Sequence, residues 1–490
     1  MIFIGIDLGT SSIKVIASDE KGKVLGSNSI ELDCIHPNNG WSEQNPNDWY
    51  ECTIQALKEL FKNECILLDE IKAISFSGQM HGLVILDEKD EVIRPAILWN
   101  DNRSYKEVEY LNTKVGVKKL SDLCGNIAFS GFTAPKILWL KNNEPDHFNK
   151  IKKIMLPKDY LAYKLCGNFC SDVSDASGTL LYDVKNRTWS QEMLEICSVS
   201  NEQLPTVYES YEKVGMLKAN IAAELGIKGD VAIIAGGGDN ACAALGTGTV
   251  EEGDCNISLG TSGTIFIPSS EFKVDSNNAL HSFASACGEY HLMGCILSAA
   301  SANKWWMDNI LMSDAYQKEQ INITSTGEKS LYFLPYLMGE RSPINDSFAR
   351  GCFIGLSLDT TRVDMTQAIL EGVAFALRDC YEVSLKQNIH LSRVTICGGG
   401  SKSKIWKQIF SNVFNVPIIT LDDSYGPGYG ACMLAMKGYG VVEDLKLLSK
   451  SLVHETETIE PELNYIETFN YKYDVYKHLY EALKPEFPKL

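Results

Sequence analysis

A chain of 490 residues, 45% hydrophobic and 22% charged, exceeds what one hydrophobic core usually serves, so two or three domains are expected. Its formal net charge of -18 argues against nucleic acid or an anionic membrane as the main partner and favours a neutral small substrate over an anionic one. No apolar run approaches the ~18 residues of a membrane span, and Met1-Ile2-Phe3-Ile4 has no signal-peptide layout, so a cytoplasmic protein is expected.

The first predicted element is a hairpin over Ile4-Gly5-Ile6-Asp7-Leu8-Gly9-Thr10-Ser11-Ser12-Ile13-Lys14-Val15, two apolar runs around a tight corner. Backbone N–H groups from Gly9 to Ser12 and three hydroxyls suit phosphate oxygens, although a plain turn is the competing reading. Asn45-Pro46-Asn47-Asp48 predicts a helix start, followed by Trp49, Ile54, Leu57 and Phe61 at helical spacing. A strand over Ile71 to Ser77 ends at Gly78-Gln79-Met80-His81-Gly82. The next, near Leu83 to Leu86, is followed by Pro95-Ala96-Ile97-Leu98-Trp99-Asn100-Asp101-Asn102-Arg103. Ligands in alternating α/β folds gather where strands end. Gln79, His81, Asn100, Asp101 and Arg103 offer directional hydrogen bonds there, while Met80 and Trp99 offer apolar faces, a combination that suits a sugar. Two plainer readings compete: a satisfied, half-buried His81, and Asp101 simply paired with Arg103.

Further along, Ile154 to Tyr160 and Asp172 to Thr179 read as a strand-and-loop passage, where Lys158 and Asp175 have two readings, side chains that reach a ligand and, the plainer one, surface or turn residues. The corner then returns: Ile257-Ser258-Leu259-Gly260-Thr261-Ser262 repeats the Ile-x-Leu-Gly-Thr-Ser pattern of Ile6 to Ser11. A second echo links Val231-Ala232-Ile233-Ile234-Ala235 with Gly236-Gly237-Gly238-Asp239-Asn240 to Val394-Thr395-Ile396-Cys397 with Gly398-Gly399-Gly400-Ser401. A repeat this long suits two related domains rather than a solenoid, with the break at Gly246 to Asp254. Facing Thr10 and Thr261 corners are expected to hold a polyphosphate from both sides. Ser298 to Ala302 supply small residues before Lys304-Trp305-Trp306. Met365, Ile369, Leu370, Val373, Ala374 and Leu377 form a helical core stripe, Ile405, Trp406 and Ile409 belong to a helix opened by the glycines, and the tail after Phe469 reads as a terminal helix.

The fifteen cysteines form no Cys-x-x-Cys pair and the eight histidines are scattered, so reduced core thiols and no metal cluster are expected. Gly-x-x-x-x-Gly-Lys-Ser/Thr, a strand-to-helix Gly-x-Gly-x-x-Gly and a strand-to-helix Gly-x-Ser-x-Gly are absent, which disfavours P-loop, dinucleotide and α/β-hydrolase chemistry.

The chain resembles the FGGY carbohydrate kinases of the actin, sugar-kinase and heat-shock ATPase superfamily. The motifs that carry this are Ile6 to Ser11, Gly78 to Gly82, Pro95 to Asp101, Gly131-Phe132-Thr133-Ala134-Pro135-Lys136-Ile137-Leu138-Trp139 and Leu156-Pro157-Lys158-Asp159-Tyr160. Gly236 to Asn240, Phe333-Leu334-Pro335-Tyr336, Gly339-Glu340-Arg341 and Glu371-Gly372 complete the set. Gln79-Met80-His81-Gly82 is most similar to the branch acting on D-xylulose. The resemblance implies a two-lobed, actin-like (ribonuclease H-like) α/β ATPase fold with ATP and sugar in the interdomain cleft. Residues 1–245 would form the sugar-binding domain and 246–490 the nucleotide-binding domain.

It further implies transfer of the γ-phosphoryl of MgATP to the 5-hydroxyl of D-xylulose, with Asp239 as general base. Asp7 would act beside it, steadying the Mg²⁺ shell through water, with Met80 and His81 on the sugar. Thr10, Ser11, Ser12, Gly260 and Thr261 match the phosphate loops, and Gly399 and Gly400 the adenosine loop. Lys404 stands where several relatives place Asn, and Lys304 where some carry Gln. Family habit suggests a homodimer. An unperturbed Asp, with a pKa near ~3.9, is ionised at pH 7, so Asp239 needs no raised value for that role. A kinase for another ketose or a polyol, such as ribulose or a deoxyketose, and a non-kinase actin-like ATPase remain the alternatives.

Overall fold

Apolar runs at both sides of the first corner fold as predicted. β1 (Ile2–Leu8) and β2 (Ser12–Asp19) pair antiparallel, and Gly9 N donates to Ser12 O at 3.0 Å to close the turn. β3 (Val24–Glu31) adds to β2. α1 (Pro46–Asn63) starts at its proline, with Asn47 N donating to Asn45 Oδ1 at 3.2 Å, and lays Trp49, Ile54, Leu57 and Leu60 into the core. β4 (Ile71–Gly78) lies parallel to β1, so β1 is flanked on both edges and its Phe3, Ile4, Ile6 and Leu8 are buried. α2 (Thr133–Asn143) and α3 (Pro157–Cys166) follow. The strand-and-loop reading of residues 154–160 is corrected here: strand ends at Met155, and proline at the first helical position starts α3. β5 (Lys213–Met216), β6 (Ala232–Ile234) and β7 (Gly237–Gly238) complete a sheet of order β5-β6-β4-β1-β2-β3, with β7 paired to β4. α4 (Asp239–Gly246) begins directly after β7.

The second set of elements is β8 (Asp254–Leu259), β9 (Gly263–Ser269), α5 (Arg362–Leu385), β10 (Arg393–Cys397), α6 (Lys404–Phe414) and β11 (Ile418–Leu421). α7 (Pro427–Tyr439), β12 (Glu455–Ile459) and α8 (Ile466–Leu483) end the chain. β8 is antiparallel to β9 and parallel to β10, β10 is parallel to β11, and β11 is antiparallel to β12. α5 carries the predicted stripe, with Ile369, Leu370, Val373, Ala374 and Leu377 buried.

This computed structural model describes residues 1–63, 66–422 and 426–490. They fall into two units: Met1–Val250 with Ser282–His291 and Asp423–Val453, and Glu251–His281 with Leu292–Asp422 and His454–Leu490. Each is an α/β sheet structure with its own core, the first centred on β1 and β4, the second on β8, α5 and α6. Among the described residues no helix is long and apolar enough to cross a membrane.

The glycine echo proves local rather than topological. β6, before Gly236, is two strands away from β1, whereas β10, before Gly398, lies directly against β8. A shared cause explains both runs. Gly236 (φ 79°) and Gly398 (φ 87°) are left-handed, and an added Cβ would lie 2.4 Å from Phe76 O and 2.7 Å from Leu259 O respectively. A turn pressed against a neighbouring strand admits only glycine.

α7 returns to the first unit and docks on it backbone to backbone. A Cβ on Gly5 would sit 2.0 Å from Gly428 O, one on Gly430 2.0 Å from Cys242 O, and one on Gly246 2.2 Å from Gly426 O. Gly430→Ala gains up to ~1 kcal/mol in helix propensity but must separate α7 from α4. Overpacking of this kind costs about 1–3 kcal/mol and rigid carbonyls lie at its upper end. Gly430→Ala is therefore expected to lower the urea midpoint, and an unchanged midpoint would contradict the docking.

Candidate active site

Strand register gathers the predicted residues of the first unit at one sheet end. Asp7 on β1 is opposite Ser77 on β4, Ser77 is opposite Gly237 on β7, and Gly78 is opposite Gly238, the residue before Asp239. These are the carboxyl ends of parallel strands, where α/β sheets bind ligands.

The Thr10 corner is braced from three sides. Thr10 Oγ1 donates to Gln79 Oε1 (3.2 Å) and accepts from Trp99 Nε1 (2.9 Å), while Gln44 Nε2 donates to Thr10 O (2.7 Å). Gln44 Oε1 in turn accepts from Gln79 Nε2 (3.0 Å) and Trp49 Nε1 (3.1 Å). Gln79 and Trp99, read from sequence as ligand-facing, thus spend these polar groups on the corner. Gln44, which sequence reasoning missed, is the hub. It lies in the two-residue strand Glu43–Gln44, paired with Ala96–Ile97, and carries no local signal. Ser11 is exposed and Ser12 half-buried.

Asn100 is exposed, but Asp101 is not. Asp101 Oδ1 accepts from Arg103 N and Nε (both 2.9 Å) and Oδ2 from Ser42 N (2.6 Å) and Arg103 Nη2 (2.7 Å). The plain pairing of Asp101 with Arg103 is what forms. The guanidinium lies 3.8 Å from the Trp41 ring centroid and 5.0 Å from that of Trp139.

Met80 is buried, and a Cβ on Gly238 would lie 2.9 Å from its Sδ. His81 is held in a left-handed conformation (φ 70°). Its carbonyl accepts from Thr133 Oγ1 (3.1 Å) and Lys136 Nζ (2.9 Å), and its Nδ1 lies 2.7 Å from Gly178 O. A carbonyl can only accept, so Nδ1 carries the proton and Nε2 is the acceptor in the neutral ring. Phe132 and Phe283 pack against the imidazole at 4.8 and 6.2 Å between centroids.

Asp239 opens α4, with Oδ1 accepting from Asn240 N (2.8 Å) and Asn240 Nδ2 (2.9 Å). Burial, reinforced by the charge of Asp7, outweighs these donors and pushes its carboxyl up to about 7. Asp239 is raised even though the role of general base does not need it. Burial also raises Asp7, against the opposing influence of Ser77 and Lys14, and Asp7 Oδ1 is buried without a hydrogen-bond partner. An unpartnered carboxylate oxygen beside a corner of backbone N–H groups fits a hydrated Mg²⁺ and phosphate, because Mg²⁺ keeps most of its waters and takes few protein ligands.

Lys158 and Asp175 are fully buried, which overturns the surface reading. Lys158 Nζ lies 2.6 Å from Asp159 Oδ1, 2.8 Å from Asp172 Oδ1 and 3.8 Å from Asp175 Oδ2. Burial works against its charge, but the three carboxylates prevail and hold the ammonium well above its ordinary range.

In the second unit the Thr261 corner meets the small-residue stretch. Ala300 N donates to Gly260 O (2.9 Å), and Ala299 N (3.1 Å) and Ser301 Oγ (2.6 Å) donate to Thr261 O. Gly400 packs under Leu259 and Trp406, whereas Gly399 is exposed with open space where a side chain would project. Lys404 and Lys304 are exposed, and Lys304 pairs with Asp308.

Asp239 has a folded pKa above its unfolded value, so the folded state binds the extra proton between about pH 4 and about 7. That stabilisation is complete below the unfolded value and lost as pH rises through about 7. Asp239→Asn is therefore expected to raise the Tm of the ligand-free protein at pH 8 and to change it little at pH 4. An equal shift at both pH values would show that the carboxyl is not perturbed in this way.

Residues 2–246 match the N-terminal domain of the FGGY family of carbohydrate kinases, and residues 255–439 match its C-terminal domain. The xylulose kinase of Staphylococcus xylosus is 36% identical over 98% of this chain and 99% of its own. Among solved structures, a xylulose kinase from Brucella ovis superposes with a TM-score of 0.95 at 38% identity, covering 99% of this chain and 100% of the other. A gluconate kinase from Lactobacillus acidophilus gives 0.94 at 27% identity, covering 100% and 99%.

Proposed function

The chain belongs to the FGGY family of carbohydrate kinases, and on that premise we propose that it phosphorylates D-xylulose at its 5-hydroxyl, yielding D-xylulose 5-phosphate and ADP. The observation that carries the catalytic assignment is Asp239, a carboxylate at the end of the strand row that also holds Asp7, with its pKa lifted to about 7. A base with its pKa near the working pH combines a deprotonated population with a real affinity for the proton. The relatives named xylulose kinase support the choice of sugar, and the Met80-His81 wall supports a neutral ligand with both C–H and hydroxyl faces.

Phosphoryl transfer passes through a loose transition state, so alignment and charge stabilisation supply most of the rate. Asp239 orients the attacking hydroxyl and accepts its proton as the oxygen–phosphorus bond forms. His81 Nε2 accepts from a sugar hydroxyl, while Met80 and Trp99 cover C–H groups, Asn100 adds polar contacts, and Gln79 and Asp101 fix the walls. Thr10, Ser11 and Ser12, and separately Gly260 and Thr261, offer backbone N–H groups to phosphate oxygens. Gly399 leaves room for adenosine beside Lys404, with Gly400 packed against Leu259 and Trp406. Magnesium, when bound through water at Asp7, neutralises charge on the phosphates.

A panel of ketoses and polyols in an ADP-coupled assay tests the reading. D-xylulose is expected to give the highest kcat/KM, and a preference for ribulose, a polyol or gluconate would replace it. Sugar-independent ATP hydrolysis at full rate would favour a non-kinase ATPase. Asp239→Ala is expected to lower kcat by roughly 10²–10⁴, the usual share of a general base, with ATP binding retained. Near-normal turnover would remove Asp239 from the role. His81→Ala should raise the KM for sugar, and an unchanged KM would contradict the pocket.

A further inference from the structure

Behind the strand end that carries Asp239 lies a buried polar chain to which the reaction gives no part. It begins at Lys158 Nζ, 2.8 Å from Asp172 Oδ1. The other oxygen, Asp172 Oδ2, accepts from Ser174 N (2.8 Å), Ser174 Oγ (2.6 Å) and Ser210 Oγ (2.6 Å). Ser174 Oγ in turn accepts from Gly238 N at 3.0 Å. Gly238 immediately precedes Asp239 and is the residue from which α4 starts. The proton directions agree along the chain: a carboxylate accepts only, so the Ser174 hydroxyl donates to Asp172 and turns its lone pairs to the Gly238 N–H.

Resting on the reading of Asp239 as general base, we propose that Ser174, anchored by the Lys158–Asp172 pair, is a positioning residue that fixes the backbone from which Asp239 projects. Three observations bear on it. Ser174, Asp172 and Lys158 are all fully buried, so the chain of contacts is shielded from competition by water. Placing one ammonium among three carboxylates in a core is no better for stability than a well-packed apolar set, so the cluster is poorly explained by folding alone. The same Lys158 also underlies the neighbouring strand end, where a Cβ on Gly78 would lie 2.9 Å from Lys158 Cβ. Gly78 leads into Gln79, Met80 and His81, so one buried side chain backs both the base and the sugar wall.

The phosphate corner lies outside this chain of contacts, and its bracing by Gln44, Gln79 and Trp99 does not include Ser174. Loss of the hydroxyl should therefore be felt in turnover and not in nucleotide binding. A misplacement of about 1 Å is enough to cost ~10²-fold in rate; the two hydrogen bonds lost with the hydroxyl, one of them to the Asp172 carboxylate, also cost folding stability, which the kcat-against-KM split does not read.

The test compares Ser174→Ala, Ser174→Thr and Asp239→Ala in the full chain, with steady-state kinetics for D-xylulose and ATP and a calorimetric Kd for ATP. Ser174→Ala is expected to lower kcat by roughly 10- to 10²-fold, with both KM values and the Kd for ATP within about twofold of the parent, a loss confined to the transition state. Ser174→Thr, which keeps the hydroxyl, should recover most of the rate. Should the added methyl prevent folding, the kcat-against-KM split of Ser174→Ala decides alone. Parental kcat in Ser174→Ala overturns the proposal, as does a fall in kcat matched by an equal loss of ATP affinity. Asp239→Ala separates the two readings: if it stays active the base assignment fails, and if it is inactive while Ser174→Ala is normal only the positioning role fails.

Discussion

Register between parallel strands is the constraint on which the first unit depends. Pairing of β1 with β4, and of β4 with β7, sets Asp7, Ser77 and Gly237 in one row and brings Asp239 to the sheet end just beyond it. A shift of one residue in either ladder would turn every side chain to the opposite face. The consequence is electrostatic. Two carboxylates, Asp7 and Asp239, are brought into a partly dry environment where burial raises the cost of ionising both and the charge of Asp7 adds to that of Asp239, while the N-terminus of α4 together with two Asn240 donors offsets only part of it. The site is therefore poised for a ligand set that brings positive charge and a transferable proton.

Around that row, main-chain grips accompany the side-chain contacts. Thr10 and His81 are each gripped through their carbonyl oxygens, by Gln44 in one case and by Thr133 and Lys136 in the other. Gripping His81 by its main chain also sets the direction of its imidazole, whose Nδ1 lies 2.7 Å from Gly178 O, in a left-handed conformation that costs energy away from glycine. The Thr261 corner is treated alike, its carbonyl accepting from Ala299 and Ser301.

Much of this was legible in the sequence, and the limits have physical causes. The paired Gly-Thr-Ser corners, the helix beginning at Asn45-Pro46 and the α5 stripe are encoded by neighbours in the chain, and each formed where expected. The burial of Lys158 was not legible, because an isolated lysine belongs outside and only three carboxylates from Asp159, Asp172 and Asp175 make the interior tolerable. The raised pKa of Asp239 comes first from burial and then from Asp7, more than two hundred positions earlier, and Gln44 became a hub through a strand pair two residues long. The glycine echo misled in a different way: like steric demands at two strand ends chose like residues at positions that are not equivalent in the sheets.

The docking of α7 bears on how the polypeptide matures. The first unit contains residues 1 to 250, yet the helix that seats against Gly5 and Cys242 is Pro427–Tyr439. At a translation speed of about 5–20 residues per second, the nascent amino-terminal half waits roughly 10–40 seconds for its closing helix to be synthesised. During that interval the surface formed by Phe3, Ala73 and Ile234, which Ala435 and Met436 later cover, has no permanent neighbour. Synthesis of Pro427–Tyr439, rather than completion of residue 250, therefore marks the point at which the first unit has its closing helix.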